Sequence, residues 1–285
     1  MYKPHYYTNQ TPIPMKLLIV ITLLATPFLT LAQLPLPLKL YKDAIAIKKA
    51  KIKTITIQEK NEANEFTLHS VKSFTPEGRI IQETHYVGSP TIDSYQYNAS
   101  GMLTHLIKTL KDGTILENIS FTYQDGYLVE EKHQSKTNAY SVIYKYTPTG
   151  LIDTSFISST ESQMKIWHYN KEKKLSALLL FSHSTIDSDK EWIQNSREVF
   201  YYNKKKLLYK TASCFCRLCF SNIYHYNKKK QLIGISEYQN EDLLSKSTIE
   251  YNKKKLIAQK SFDTYNQETE SITRSHFEIF EYTFY

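Results

Sequence analysis

Glycine is scarce in this chain, 7 in 285 residues, and no glycine-rich phosphate loop, Gly-x-Ser-x-Gly elbow or His-Glu-x-x-His pair occurs. Three large classes of enzyme chemistry therefore lack their motif. Long apolar runs are absent too, with one exception near the start. Leu17 to Leu31 is about 15 residues, carries Pro27 and falls short of the ~20 that span a bilayer. With Met15-Lys16 before it and the small residues Thr30 and Ala32 at its end, it reads as an export signal cleaved before Gln33. No cysteine follows the run, so a lipid anchor of the bacterial lipoprotein kind is not indicated.

What is present is an ordinary globular balance, 41% hydrophobic and 22% charged, with 36 Lys+Arg against 28 Asp+Glu. Disorder is not expected for most of the chain. Loss of residues 1–32 removes Lys3 and Lys16 and no acid, which takes the net charge from +8 to +6. That mild excess does not argue for nucleic acid. The 23 tyrosines, set among β-branched residues in short runs, favour strands. The expected organisation is an upstream extension over 1–14, a signal peptide over 15–32, a linker and short helix over 33–50, and a single β-repeat domain over 51–285.

That domain repeats. FTPEGRI from Phe74, YNASGML from Tyr97, YQDGYL from Tyr123, YTPTGLI from Tyr146 and YNKEKKL from Tyr169 precede three lysine-rich copies from Tyr202, Tyr226 and Tyr251. The anchors lie 23, 26, 23, 23, 33, 24 and 25 residues apart. Each copy has an aromatic first, usually Asn or Thr second, Gly or Lys fifth and an aliphatic seventh, except that the Tyr123 copy is one residue shorter, with Asp125-Gly126 in its turn. A strand ending in Tyr, a polar turn and a strand restarting on an aliphatic make a β-hairpin, and the fifth place demands positive φ. Lys173, Lys206, Lys230 and Lys255 hold that place in the last four copies, at about 1 kcal/mol each relative to glycine.

Between the anchors, runs such as ILENISFTY (115–123) and SVIYKY (141–146) alternate as strands do, with a second, more variable turn at sites such as Lys111-Asp112-Gly113. STIDSDKEW (184–192) and NQETESITR (266–274) read as extended loops. Eight copies of two strands give about 16 antiparallel strands in an all-β, extended, twisted sheet, flat or curled. Lys51 to Glu59 would start it, Phe277 to Tyr285 would finish it, and a short helix over Lys39 to Ala50 would cap its end.

The copies resemble degenerate tyrosine–aspartate (YD) repeats of the Rhs and teneurin families over about residues 70–260, on Tyr97-Asn98-Gly101-Leu103, Tyr146-Gly150-Ile152 and weaker relatives. Asn, Thr or Gln stands in place of the family's Asp, and Lys replaces Gly in four copies. The resemblance implies an extended antiparallel sheet like that of short secreted repeat proteins of Bacteroidota. It does not imply toxin delivery, because the chain is too short to enclose a toxin and has no Asp-Pro-x-Gly-Leu motif.

Two surfaces are candidate binding sites. Tyr97, Tyr146, Tyr169, Tyr202, Tyr226 and Tyr251 would stack in a column, suited to sugar rings or peptide strands if exposed and to core packing if not. Lys206, Lys230 and Lys255 would line up as a basic stripe for an anionic polymer or surface, or serve as soluble turn fillers. Cys214, Cys216 and Cys219 allow a disulfide with one thiol left over, free thiols, or a soft-metal site with His225. In an oxidising compartment the disulfide leads, and no metal or cofactor is assigned. His168 and His225 precede repeat tyrosines, and Glu130 and Glu131 would face opposite sides of a strand, so no catalytic residue is assigned. The expected function is a non-enzymatic exported scaffold or binding surface in the cell envelope, periplasmic or extracellular. Its partner would be an envelope protein or a polysaccharide, with no membrane span once the signal is removed. The alternative is an outer-membrane β-barrel.

Overall fold

The computed structural model describes residues 35–60, 65–158, 163–183, 192–215, 218–266, 269 and 271–285. The expected export signal and upstream extension lie outside these residues, as do nearly all of the 184–192 loop and Cys216. Helix α1 (Leu36–Ala50) comes first. Nine strands follow in the first half of the fold: β1 (Ile52–Lys60), β2 (Phe66–Phe74), β3 (Ile80–His85), β4 (Thr91–Tyr97), β5 (Leu103–Leu110), β6 (Ile115–Gln124), β7 (Tyr127–Ser135), β8 (Ala139–Tyr146) and β9 (Ile152–Ser158). Nine more complete it: β10 (Gln163–Tyr169), β11 (Leu175–His183), β12 (Trp192–Tyr202), β13 (Leu208–Phe215), β14 (Leu218–Tyr226), β15 (Leu232–Gln239), β16 (Asp242–Tyr251), β17 (Ile257–Tyr265) and β18 (Ile272–Phe284).

Each strand pairs antiparallel with the next, and β18 pairs with β1 from Ile52↔Phe284 to Lys60↔Phe277. The result is a closed 18-stranded up-and-down barrel, not the open extended sheet expected. The eight copies supply sixteen strands, and the two flanking segments read as sheet ends pair with each other. Closure satisfies two rows of main-chain groups that an open sheet would leave at its edges, and the accumulated strand twist brings those edges round.

The repeat turns all fall at one end of the barrel. In each, the N–H of the second residue donates to the carbonyl of the sixth, and the N–H of the fifth to the carbonyl of the second, as in Asn203 N–H to Leu207 (2.9 Å) and Lys206 N–H to Asn203 (2.8 Å). The Asn side chain adds a clamp, because Oδ1 of Asn203 accepts the N–H of Lys205 (2.9 Å) and of Leu207 (3.1 Å). Asn170, Asn227 and Asn252 do the same, and Thr147 Oγ1 takes the N–H of Leu151. The second place therefore needs a short side chain with an acceptor oxygen. The copy at Tyr123 closes instead through Asp125 (φ 51°) and Gly126 (φ 81°), the two-residue turn that Asp-Gly favours.

Every copy also carries a bulge, with the register slipping at the first residue, as between Gln96 and Tyr97 or Glu250 and Tyr251. A bulge re-aims side chains, and here the seventh residue turns inward beside the tyrosine. Ile80, Leu103, Leu128 and Ile152 are all buried.

Helix α1 lies across the mouth of the barrel at this same end. Leu36 and Leu40 pack on buried Leu103, Leu106, Ile119, Phe121 and Leu128, while Ile47 and Ala50 reach Ile52, Phe74 and Ile80 on the far side. It stops at Lys51, which turns left-handed (φ 55°) and gives its N–H to Ile47 and Lys48, with Lys48 and Lys49 placed favourably at the negative end of the helix dipole. The expected helix is thus present and slightly longer, but it plugs a mouth instead of capping an edge.

Gly78 permits this approach, since a Cβ there would sit 2.1 Å from the Ala44 carbonyl oxygen and 2.6 Å from the Lys48 nitrogen. At Gly101, with the same φ of 83°, the nearest atoms a Cβ would meet belong to the movable guanidinium of Arg79. Gly101→Ala should therefore cost about 1 kcal/mol for the left-handed backbone. Gly78→Ala should cost roughly 2–4 kcal/mol, the same strain plus overpacking against helix backbone. Denaturant melts of the two variants check the difference.

Candidate functional site

Three groupings of side chains stand out: the tyrosines of the repeat end, the lysines beside them, and a charged belt inside the barrel. The tyrosines are used by the fold. The hydroxyl of Tyr97 donates to the Ile80 carbonyl (2.9 Å), that of Tyr146 to Leu128 (2.8 Å), Tyr202 to Leu175 (2.9 Å), Tyr226 to Leu208 (2.8 Å) and Tyr251 to Leu232 (2.7 Å). In each case the acceptor is the aliphatic that restarts the strand in the preceding copy, the seventh residue or, for Leu128 in the shorter Tyr123 copy, the sixth. Tyr123 and Tyr282 repeat the bond to Leu103 and Ile257. Tyr169 stands at the same place, and burial raises its phenol to about 12, as it does for Tyr97 and Tyr146. These rings form a half-buried belt that stitches one turn to the next; they are not an exposed column.

The lysines are exposed, apart from half-buried Lys174, whose ammonium donates to the Lys206 carbonyl. The turns β10–β11, β12–β13, β14–β15 and β16–β17 stand side by side on the rim and contribute three lysines each, twelve in all, against the single acid Glu172. Glu172 is engaged, 3.0 Å from Lys206 and 3.4 Å from Lys174. Lys173, Lys206, Lys230 and Lys255 hold φ of 60°, 64°, 64° and 66°, as their place in the repeat demands. Below the β12–β13 turn, Tyr201 and Tyr209 are exposed and tilted against each other, centroids 6.3 Å apart.

The third grouping went unread in the sequence. Inward-facing residues on β2 to β7 form a chain of opposite charges: Lys72–Glu83 (2.9 Å), His85–Asp93 (3.6 Å), Lys108–Glu117 (3.2 Å), Glu117–His133 (3.0 Å) and His133–Glu131 (3.5 Å). Tyr140 stacks on the His133 ring at 4.3 Å. Burial works against a charged His133, but Glu131 and Glu117 outweigh it and raise its pKa above 6.5. His85 is raised chiefly by its bond to Asp93. The signal was available in part: Glu131 does face inward and Glu130 outward, as two neighbours on a strand must. No set of three or more His, Cys, Asp or Glu with metal-holding geometry occurs among the described residues.

Of the cysteines, Cys214 and Cys219 face each other across β13 and β14 and form a disulfide, and Cys216 lies outside the described residues. The bridge sits at the far end from the lysine rim.

No family model matches the chain, and no curated protein matches it. Among solved structures it is similar to a porin-like protein from Bacteroides uniformis at 9% identity, over 81% of this chain and 98% of that one, TM-score 0.49. A porin-like protein from Bacteroides vulgatus gives 11% identity, 82% and 98% coverage and TM-score 0.35. A TcdB2-TccC3-Cdc42 structure gives 12% identity over 72% of this chain and 12% of that one, TM-score 0.36. At these scores and identities the similarities decide nothing about the chain's activity, and no family match supports the YD resemblance.

Two outcomes follow from this geometry. Tyr→Phe at position 97, 146 or 226 should each cost about 1 kcal/mol for the lost hydroxyl bond, and the triple variant about 3 kcal/mol, since the sites are far apart; chemical denaturation measures both. The raised His133 stabilises the fold fully below pH 6.5 and loses that contribution as pH rises through its folded pKa. Glu117→Gln should move the His133 titration, followed by NMR, downward.

Proposed function

We propose that this chain is a non-enzymatic barrel of the cell envelope whose outer wall meets water, acting as a scaffold or binding module. The observation that carries this reading is the outward face of the strands. On β6 and β7 the register turns Asn118, Ser120, Thr122, Glu130, Lys132 and Gln134 outward, and on β16 and β17 Lys246, Thr248, Glu250, Gln259, Ser261 and Asp263. A barrel embedded in lipid needs an apolar band about 25 Å tall around its whole girth, and a lysine at the bilayer midplane costs about 2–4 kcal/mol. Apolar outward residues such as Phe156, Met164, Ile166, Leu179 and Phe181 on β9 to β11, and Ile107, Ile143, Ile223, Phe277 and Ile279 elsewhere, stand among polar neighbours such as Asn118, Glu130, Lys210 and Gln259, and Arg197 lies opposite Leu179.

A second reading, an outer-membrane barrel, is favoured by closure itself: an even number of antiparallel strands without a free edge is the architecture such proteins share. That no helix among the described residues is long and apolar enough to cross a membrane leaves both readings standing. The two part on one experiment. Residues 33–285 should stay monodisperse in buffer without detergent and show the same gel mobility before and after heating. Aggregation relieved by detergent, together with heat-dependent mobility, would establish the membrane barrel.

A further inference from the structure

The left-handed lysines are an odd choice on backbone grounds. Four copies of the repeat place glycine at positive φ, at Gly78, Gly101, Gly126 and Gly150, and those turns are contiguous on the rim. The other four, equally contiguous, place lysine there. A side chain in this region is strained whatever surrounds it. A solubilising charge could sit at the third or fourth place of the turn without strain, and lysines already do in every one of these four copies. The fifth-place lysines therefore point to a requirement for density of positive charge on one arc.

That arc has a definite shape. Successive repeat turns are two strands apart, about 10 Å, so four turns span roughly 30 Å along the rim. The Asn clamps hold each turn rigid, and every lysine at the third, fourth and fifth places is exposed, with Lys206 paired to Glu172 and the Lys254 ammonium over the Phe284 ring. Tyr201 and Tyr209 project from the outer wall immediately below the second of these turns, both exposed. Ammonium groups repeating at the length of a disaccharide, with exposed aromatic faces alongside, suit a chain that offers both anions and flat apolar ring faces.

We propose that the lysine arc and the Tyr201–Tyr209 pair together form a docking surface for a linear acidic polysaccharide lying along the rim. The carboxylates of its uronic acids pair with lysines of successive turns, and a sugar ring stacks on Tyr209 or Tyr201. The glycine arc of the same rim takes no part. This goes beyond the binding-module reading by naming the surface and the ligand class, and it does not depend on whether the barrel wall meets water or lipid.

The test uses the chain from Gln33 with polygalacturonate as the acidic glycan, dextran as the neutral one, polyphosphate as an anion without rings, and phosphatidylglycerol vesicles as an anionic surface. Polygalacturonate should bind at low ionic strength and weaken steeply with salt, while dextran should not bind. The variant K206G/K230G/K255G should fold at least as stably as the parent, because glycine suits the backbone there, yet bind at least tenfold more weakly. Y201A/Y209A should weaken polygalacturonate and leave polyphosphate unchanged. Equal binding by the parent and the lysine variant, no binding of polygalacturonate, or binding of vesicles alone would overturn the proposal. Loss of polyphosphate and polygalacturonate alike in Y201A/Y209A would overturn the part played by the sugar ring. Detergent dependence of the parent would instead bear on the wall of the barrel and leave this surface intact.

Discussion

The hydroxyl of each repeat tyrosine, donated to the main chain of the copy before it, organises one whole end of this barrel. A hairpin fixes only its own two strands; the tyrosine bond fixes one hairpin against the next at the point where the bulge has loosened the ladder. Each bond is modest, but it spans 17 to 27 residues of chain and recurs at nearly every copy. The belt also runs through the seam. Tyr282 on β18 donates to Ile257, and the hydroxyl of Tyr285 reaches the carbonyl of Phe74, the one anchor of the repeat that has no hydroxyl of its own.

The seam is a ninth copy opened at its turn. Tyr282 occupies the place of a first-position tyrosine, and Ile52 is as deeply buried as the seventh-position aliphatics Leu103 and Leu128. This explains why the barrel closes at eighteen strands, and why the helix, joined directly to Ile52, enters through the mouth on that side. It also accounts for the apolar inward layer near the turns, onto which α1 packs, followed deeper in by the charged belt from Lys72 to Glu131.

Much of the local structure was legible in the sequence. The period of about 24 gave the hairpins, Asp125-Gly126 its two-residue turn, and the fifth place its left-handed backbone even where lysine fills it. The disulfide was one of three readings of the cysteines, and its partners proved to be Cys214 and Cys219. Closure was not legible, because pairing between residues more than 200 apart leaves no local mark and the split copy hides at both ends. The tyrosine role was missed for a related reason. A ring at the end of a strand looks the same in sequence whether it faces water or bridges to the next hairpin, and the bulge that turns it inward has no residue signature of its own. The inner charged belt escaped because its members lie on six strands; Glu83 with His85 and Glu131 with His133 are two residues apart, but nothing in that spacing reveals the partners on neighbouring strands.

The plug helix adds a constraint on order of assembly. A chain made from its amino end completes α1 before any of the wall that surrounds it, and β1 must wait unpaired on one side until β18 arrives, 229 residues later at the Thr54–Thr283 contact. The amide of Tyr285 then bonds to Lys51, at the very residue that ends the helix. Insertion or loss of one 24-residue unit would alter the girth by two strands while leaving α1 the same size, so repeat number and plug are matched quantities. A chain that gained or lost a copy would need a different helix to stopper it.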